Sequence, residues 1–278
     1  MTKLKRKKIK PIYIIIFIGL FLISLFMILP FLWMLSNSLK STKEILLDPK
    51  HLIPVNFTIS GYVKVLTKSP FFYWLRNSLF ITITNTVVIL LTSTLVGFVF
   101  SKFQFRFKKT LFLLVLATMM VPSHTSMIPG FLLINALGLY NTAGALIIPS
   151  FVNAFGIFLS KQACDDIPNE LIEAARMEGA SNWNIYRRIV IPLIRPTIGA
   201  LTIFTFLTYW NDYLNPLIMI NDIKKMTLPL ALSYFSSQHT ADLSATMAAS
   251  ALIMLPVIAV FLLFQKQFIK GIATTGMK

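Results

Sequence analysis

The chain has 278 residues, 56% of them hydrophobic, with a mean hydropathy of +0.73 and only 13% charged, about half of the roughly 25% found in soluble domains. Those numbers exclude an ordinary soluble globule. The formal charge of +16 does not argue for nucleic acid either, because the basic residues stand beside apolar runs, as juxtamembrane residues do. A single cysteine, Cys164, removes any internal disulfide or multi-cysteine metal site.

The apolar residues gather into runs of about twenty, the length a helix needs to cross about 30 Å of hydrocarbon. The fold class is therefore all-α, a polytopic membrane protein. The N-terminus MTKLKRKKIK holds six Lys or Arg in ten residues, so residues 1–11 are expected to be a basic cytoplasmic segment. The apolar run 12–35 is too long for the core of a signal peptide and is expected to be a retained first transmembrane helix. A polar stretch, 36–76, contains Pro54, Asn56, Gly61 and Pro70 and is expected to be a partly ordered external cap. A core of five further helices spans 77–265, with crossings predicted over Asn77 to Phe100, Thr110 to Leu133, Ala143 to Lys161, Thr197 to Ile220 and Thr246 to Gln265. Residues 266–278 form a cytoplasmic tail. Six crossings place both termini on one side, and the segments assigned to the cytoplasm hold eighteen of the twenty-six basic residues, the sign the positive-inside rule requires.

Between the fourth and fifth crossings runs IPNELIEAARMEGASNWNIYRRIVIPLIRP, residues 167–196. It is too polar for the bilayer and too patterned for a plain connection. Pro168 suits a first helical turn, Glu170 and Glu173 favour the positive N-terminal end, and Gly179 can take the left-handed stop. One short helix is predicted over Pro168 to Glu178. A second begins at the cap candidate Ser181 or Asn182, carries Trp183, Tyr186 and Ile189 at helical spacing, and is closed by Pro192. The small residues Ala174 and Ala175 would let this knob approach another surface closely. Taken locally, the same pattern also fits an amphipathic interfacial helix pair that only joins two crossings.

The spacing Glu173-Ala174-Ala175, three residues, Gly179, nine residues, Ile189, one residue, Ile191-Pro192 resembles the EAA loop of binding-protein-dependent ABC importer permeases. The resemblance extends over most of the chain and is nearest the carbohydrate, maltose-type (MalG-like) subgroup. It is carried by FYWLRNSLF at Phe72 to Phe80, MMVPSHTSMIP at Met119 to Pro129 and LGLYNTAGALIIPS at Leu137 to Ser150. YWNDYLNPL at Tyr209 to Leu217 and FQKQFIKGI at Phe264 to Ile272 complete it. One departure is Glu178 before Gly179, where the subgroup usually shows Asp; the charge is kept. The resemblance implies a type I ABC importer permease fold in a multi-pass cell-membrane protein. Its coupling residues would be Glu173, Ala174, Ala175, Gly179, Ile189, Ile191 and Pro192, seated in a groove of the ATPase.

Candidates for a solute pathway are Asn85, Trp210, Asn211, Asp212, Tyr213 and Asn215. A carboxylate about sixteen residues into the fifth crossing is costly unless it faces a watery cavity or a partner, and aromatic faces beside amides suit sugar rings. Trp210 and Tyr213 equally suit an interfacial aromatic belt, and buried Asn or Thr more often bond between helices. Pro122, with Ser123, His124 and Thr125 before Pro129, points to a broken helix at depth.

No GxxxxGK(S/T) phosphate loop, HExxH or GxSxG occurs, and His51, His124 and His239 are widely separated. The chain is thus expected to be no enzyme and to carry no cofactor. ATP and Mg would be bound by a partner ATPase dimer. A second homologous permease forming a heterodimer and an extracytoplasmic solute-binding protein are the other implied partners. Importers of another solute class, such as polyamine or phosphate, share the loop and stay open as alternatives. A secondary transporter would need more intramembrane carboxylates than Asp212.

Overall fold

The protein is described from a computed structural model covering residues 11–236 and 242–275; the N-terminal basic cluster, His239 and the last three residues lie outside the described residues. Every regular element among the described residues is helical. The first are α1 (Pro11–Ser38), α2 (Thr42–Leu47), α3 (Ser60–Lys68) and α4 (Phe71–Lys102). Next come α5 (Lys108–Thr118), α6 (Met127–Ala136), α7 (Ala143–Ile147) and α8 (Ala154–Asp165). The 167–196 region contributes α9 (Asn169–Met177), α10 (Asn182–Ile185) and α11 (Ile191–Leu193). The last are α12 (Arg195–Trp210), α13 (Leu214–Met219), α14 (Leu228–Ser236) and α15 (Leu243–Thr275). The chain divides into two compact units, Met1–Ser69 with Phe235–Leu252, and Pro70–Tyr234 with Ile253–Lys278.

In the smaller unit, α1 is apolar on every side, and Ile12, Phe17, Phe26 and Met27 are all more than half exposed. A helix of that composition has lipid for its solvent. The stretch after it is ordered by its own polar groups. Ser41 caps α2 by accepting from the Glu44 amide at 3.2 Å, and the Glu44 carboxylate accepts from the Val55 amide at 2.8 Å. Trp33 donates to the Pro49 carbonyl at 2.9 Å, and the fully buried Lys40 donates to the His51 carbonyl. Asp242 gathers three elements, accepting from Lys64 Nζ at 2.6 Å, Thr42 Oγ1 at 2.9 Å and the Ala245 amide at 3.1 Å. The last bond makes it the N-cap of α15. Partial burial pushes the Asp242 carboxyl up, but the Lys64 ammonium, the Ala245 amide and the Thr42 hydroxyl together hold it below its ordinary value.

In the larger unit, α4 runs alongside α8 and α12. Its approach to α8 depends on missing side chains. A Cβ on Gly97 would lie 2.7 Å from the Lys161 backbone nitrogen and from Ser160 Cβ, and one on Gly156 would lie 2.4 Å from Ser93 Oγ. Ser93-xxx-Gly97 on one helix thus meets Gly156-xxx-Ser160 on the other, the small-residue spacing by which membrane helices pack backbone to backbone.

Among the described residues, four helical stretches are long and apolar enough to cross a membrane: Ile12–Ser38, Phe71–Lys102, Ala143–Asp165 and Leu243–Lys266. The predicted third and fifth crossings differ from their expected form. The run from Thr110 to Leu133 is not one helix: α5 ends at Thr118, and Pro122 takes an extended backbone (ψ 129) before a 3-10 turn, Ser123–Ser126, leads into α6. That break lies where the two prolines predicted it. The fifth crossing does not continue to Ile220, because α12 stops at Trp210 and the chain restarts as α13. Pro216 has no amide to donate to the Asp212 carbonyl, and the Asp212 side chain instead caps the new helix through the Asn215 amide at 3.2 Å. The sixth crossing runs longer than predicted, with Pro256 inside it.

Two outcomes test these contacts. Gly97→Ala is expected to cost about 1 to 3 kcal/mol, because backbone rather than a flexible side chain must yield; the readout is the thermal exposure of buried Cys164 to a thiol-reactive dye in detergent. Asp242→Ala should lose a cap worth about 1 kcal/mol. Since the folded carboxyl titrates below its unfolded value, wild type should keep this increment above the ordinary carboxylate range. It should lose the increment as pH falls through the lowered pKa, so the gap between the two midpoints closes in acid.

Candidate functional site

The 167–196 region folds as a helical knob on the ends of α4 and α8. Pro168 is the extended residue just before α9 (ψ 136) rather than part of its first turn, and Asn169 opens the helix. Its other end is a Schellman stop. Gly179 has φ +82, its amide donates to the Arg176 carbonyl at 3.0 Å, and the Ala180 amide reaches back to the Ala175 carbonyl at 2.9 Å. A Cβ on Gly179 would meet nothing within 4 Å, so backbone conformation alone calls for glycine there.

Ser181, the first of the two cap candidates, caps α10 by accepting from the Asn184 amide at 3.3 Å. Pro192 does not close the second helix. The chain widens into a π turn over Tyr186–Val190, with the Ile191 amide bonded to the Tyr186 carbonyl, and passes through Pro192 into α11. In α geometry the Pro192 ring would press on the Arg188 carbonyl, and the wider turn relieves that contact. The direction changes two residues later: the stretch Asn182–Leu193 meets α12 at a bend of 78°.

The knob is held by a buried cluster that includes Phe98 of α4, Cys164 of α8, Ile172 and Ala175 of α9, and Ile185, Tyr186, Val190 and Ile194 beyond it. The Tyr186 hydroxyl lies 2.7 Å from Thr94 Oγ1, a tie to α4 that the sequence reading missed. Lys102 at the end of α4 donates to the Ile167 carbonyl at 2.6 Å and to Asn169 Oδ1 at 2.9 Å. The seven expected coupling residues separate by environment. Glu173 and Ala174 are exposed on α9 with Glu170 and Met177, and Gly179 and Pro192 are exposed as well; Ala175 faces the cluster, and Ile189 and Ile191 are half-buried against it. Among the described residues, Glu173 has neither an ion pair nor a hydrogen bond.

The pathway candidates separate in the same way. Asn85 is fully buried, donating to the Leu146 carbonyl at 3.1 Å and accepting from Ser150 Oγ at 2.9 Å. That is the inter-helix bond, not a cavity wall. Trp210 is fully buried, donates to the Ile253 carbonyl at 3.1 Å and stacks on Phe206 with centroids 5.5 Å apart; neither the cavity nor the interfacial belt describes it. Asn211, Asp212, Tyr213 and Asn215 do come together, with His124 and Met127 opposite, around an open hollow of about 410 Å³. Both Asp212 oxygens accept from Asn215, at 3.2 and 2.9 Å, and among the described residues no cation pairs with Asp212. The two helix breaks, at Pro122 and at Asn211, thus meet at one place.

Residues 90–274 match the family model described as binding-protein-dependent transport system inner membrane component. The chain belongs to this family. It is a multi-pass membrane permease subunit, not an enzyme, and in this family the ATPase is a separate subunit. The permease is 30% identical to the arabinooligosaccharides transport system permease protein AraQ of Halalkalibacterium halodurans, over 99% of this chain and 100% of that one. It is 34% identical to the protein of the same name in Bacillus subtilis, over 92% of each. Its fold matches, with a TM-score of 0.82 and 24% identity over 96% of this chain and 100% of the other, a chain in the structure of a bacterial ABC transporter involved in the import of the acidic polysaccharide alginate.

The tight α4 and α8 contact was also missed by the sequence reading, although its small-xxx-small spacings were in view. Tyr186 gave no such signal, since its partner lies 92 residues away. Asn85→Ala in the permease is expected to lower the unfolding midpoint by the equivalent of about 1 kcal/mol, with solute KM unchanged in transport assays. A changed KM at an unchanged midpoint would return Asn85 to the pathway.

Proposed function

We propose that this permease passes a sugar or oligosaccharide, received from an external solute-binding protein, across the membrane with energy supplied by a dimeric ATPase docked on its knob. Six crossings with both termini cytoplasmic are the topology of this reading: α1, α4, the broken pair α5 and α6, the pair α7 and α8, α12, and α15. The first helix and the external segment 36–76 precede a transport core over 77–265. ATP and Mg belong to the partner, and a second homologous permease completes the pathway as a heterodimer.

The observation that carries the reading is the split character of α9. Ile172 and Ala175 are buried, whereas Glu173 and Ala174 stand outward, with no side-chain partner among the described residues. A merely connecting interfacial helix would lay its apolar face on lipid; here that face is already spent on the protein's own cluster, and an acidic, small-residue face is left for another macromolecule. Force on that face reaches the membrane helices through the buried cluster and the Tyr186–Thr94 bond. The permease would alternate its access as the ATPase pair closes, with no covalent chemistry on this chain.

A sugar as solute is supported by the hollow at Asn211 to Asn215, which offers amides, a carboxylate and an aromatic ring, and by the arabinooligosaccharide-transporting relatives. Glu173→Arg is expected to abolish co-purification of the ATPase and reduce sugar uptake into proteoliposomes at least tenfold, with the unfolding midpoint unchanged. An unchanged complex with unchanged transport-coupled ATP hydrolysis would overturn the docking role. Uptake of polyamine or phosphate, and of no sugar, by the assembled transporter would overturn the substrate.

A further inference from the structure

In the loop joining α4 to α5, residues 103–107, Phe103 packs against the knob's cluster beneath Arg176 of α9, but the composition of the rest of the loop is unusual. Phe103, Phe105 and Phe107 alternate with Gln104 and Arg106, and Lys108 and Lys109 follow. Phe105 is 38% exposed and Phe107 63% exposed. Arg106 lies over the Phe107 ring with its guanidinium carbon 4.9 Å from the centroid. Among the described residues, neither Arg106 nor Lys109 has an ion-pair partner.

The ground behind the loop is positive as well. Lys102, Lys108 and Lys161 crowd together, with Asp165 as the acid among them. Lys161 pairs with Asp165 at 2.6 Å. Lys108 satisfies its protons on the Ser101 and Phe103 carbonyls at 3.2 and 2.8 Å. Partial burial, and then the Lys161 charge, pull its ammonium below its ordinary pKa. A guanidinium and an ammonium without ion pairs, backed by surplus positive charge and flanked by two exposed rings, complement a partner that is anionic and apolar within a few ångströms. The loop is tethered to membrane helices at both ends, so bilayer headgroups are the surface it meets.

We infer that the 103–107 loop and the first turn of α5 form a binding site for anionic phospholipid, with Arg106 and Lys109 holding the phosphodiester and Phe105 and Phe107 seated at the boundary between headgroups and acyl chains. The inference rests on the membrane reading of the chain but not on its solute, the knob or the ATPase. Juxtamembrane cations are worth roughly fivefold each in affinity for anionic lipid, and exposed aromatic rings favour that interface.

The test uses the purified full-length chain in neutral detergent, titrated with phosphatidylglycerol or phosphatidylcholine and read by native mass spectrometry. Wild type is expected to retain phosphatidylglycerol over phosphatidylcholine, and R106Q/K109Q to lose that preference by about tenfold or more. K43Q/K50Q, which removes two charges from the segment after α1, should keep it. F105S/F107S should weaken retention of phosphatidylglycerol while leaving free inorganic phosphate unable to compete. Equal retention of the two lipids by wild type, an unchanged preference in R106Q/K109Q, or full displacement of lipid by millimolar phosphate would each overturn the inference. Unaltered dye access to Cys164 in each variant establishes that the fold is intact. A failure here leaves sugar uptake and ATPase binding as they were, so it is distinguishable from failure of the transport function.

Discussion

The near-contact of α4 and α8 governs what the rest of the larger unit can do. Two glycines and two serines let the backbones meet, and the Ser93 and Ser160 hydroxyls, buried without hydrogen-bond partners among the described residues, serve there by being small. In a bilayer no hydrophobic drive separates helix from lipid, so close van der Waals approach supplies much of the association energy. The end of this pair is the floor on which the knob sits: Phe98 and Cys164, one from each helix, lie at the centre of the cluster beneath Ile185 and Tyr186. Were the helices spread by one side chain, the knob would lose its socket before it lost its own helices.

The division of labour within the knob follows from that socket. Residues of the EAA spacing behave as two sets, one turned to the cluster and one to the outside, and helical geometry alone sorts them, since 172 and 175 share one face while 170, 173, 174 and 177 share another. The acidic outer face is thereby held at a fixed angle. A Schellman stop at Gly179 and a serine cap at Ser181 fix the turn between the helices with backbone hydrogen bonds, so its shape needs no partner to impose it.

Much of this was legible in the sequence. Four of the six apolar runs, the break near Pro122, the left-handed Gly179 and the cap at Ser181 each have a local cause, and each is found where its cause predicted. What escaped has non-local causes. Pro192 was expected to end a helix, because a proline's effect can be judged locally only if the ladder before it is α-helical; a π turn removed the clash. The fifth crossing was drawn through Asp212 because hydropathy carries across a break that a side-chain cap and a proline together create. Trp210 and Asn85 looked like pathway residues because polar and aromatic groups in membranes have two uses, and only their partners, Ile253 and Leu146 with Ser150, decide between them.

The π turn has a mechanical consequence. It accommodates one residue more than the α-helical turns beside it, and restoring α geometry would rotate Asn182–Ile185 by about 100° about the helix axis relative to α11. That rotation would carry the Tyr186 ring out of its buried seat and off Thr94. The second helix of the knob is therefore keyed in its rotation, like a splined shaft: straightening the turn would cost it both the buried tyrosine and the bond to Thr94.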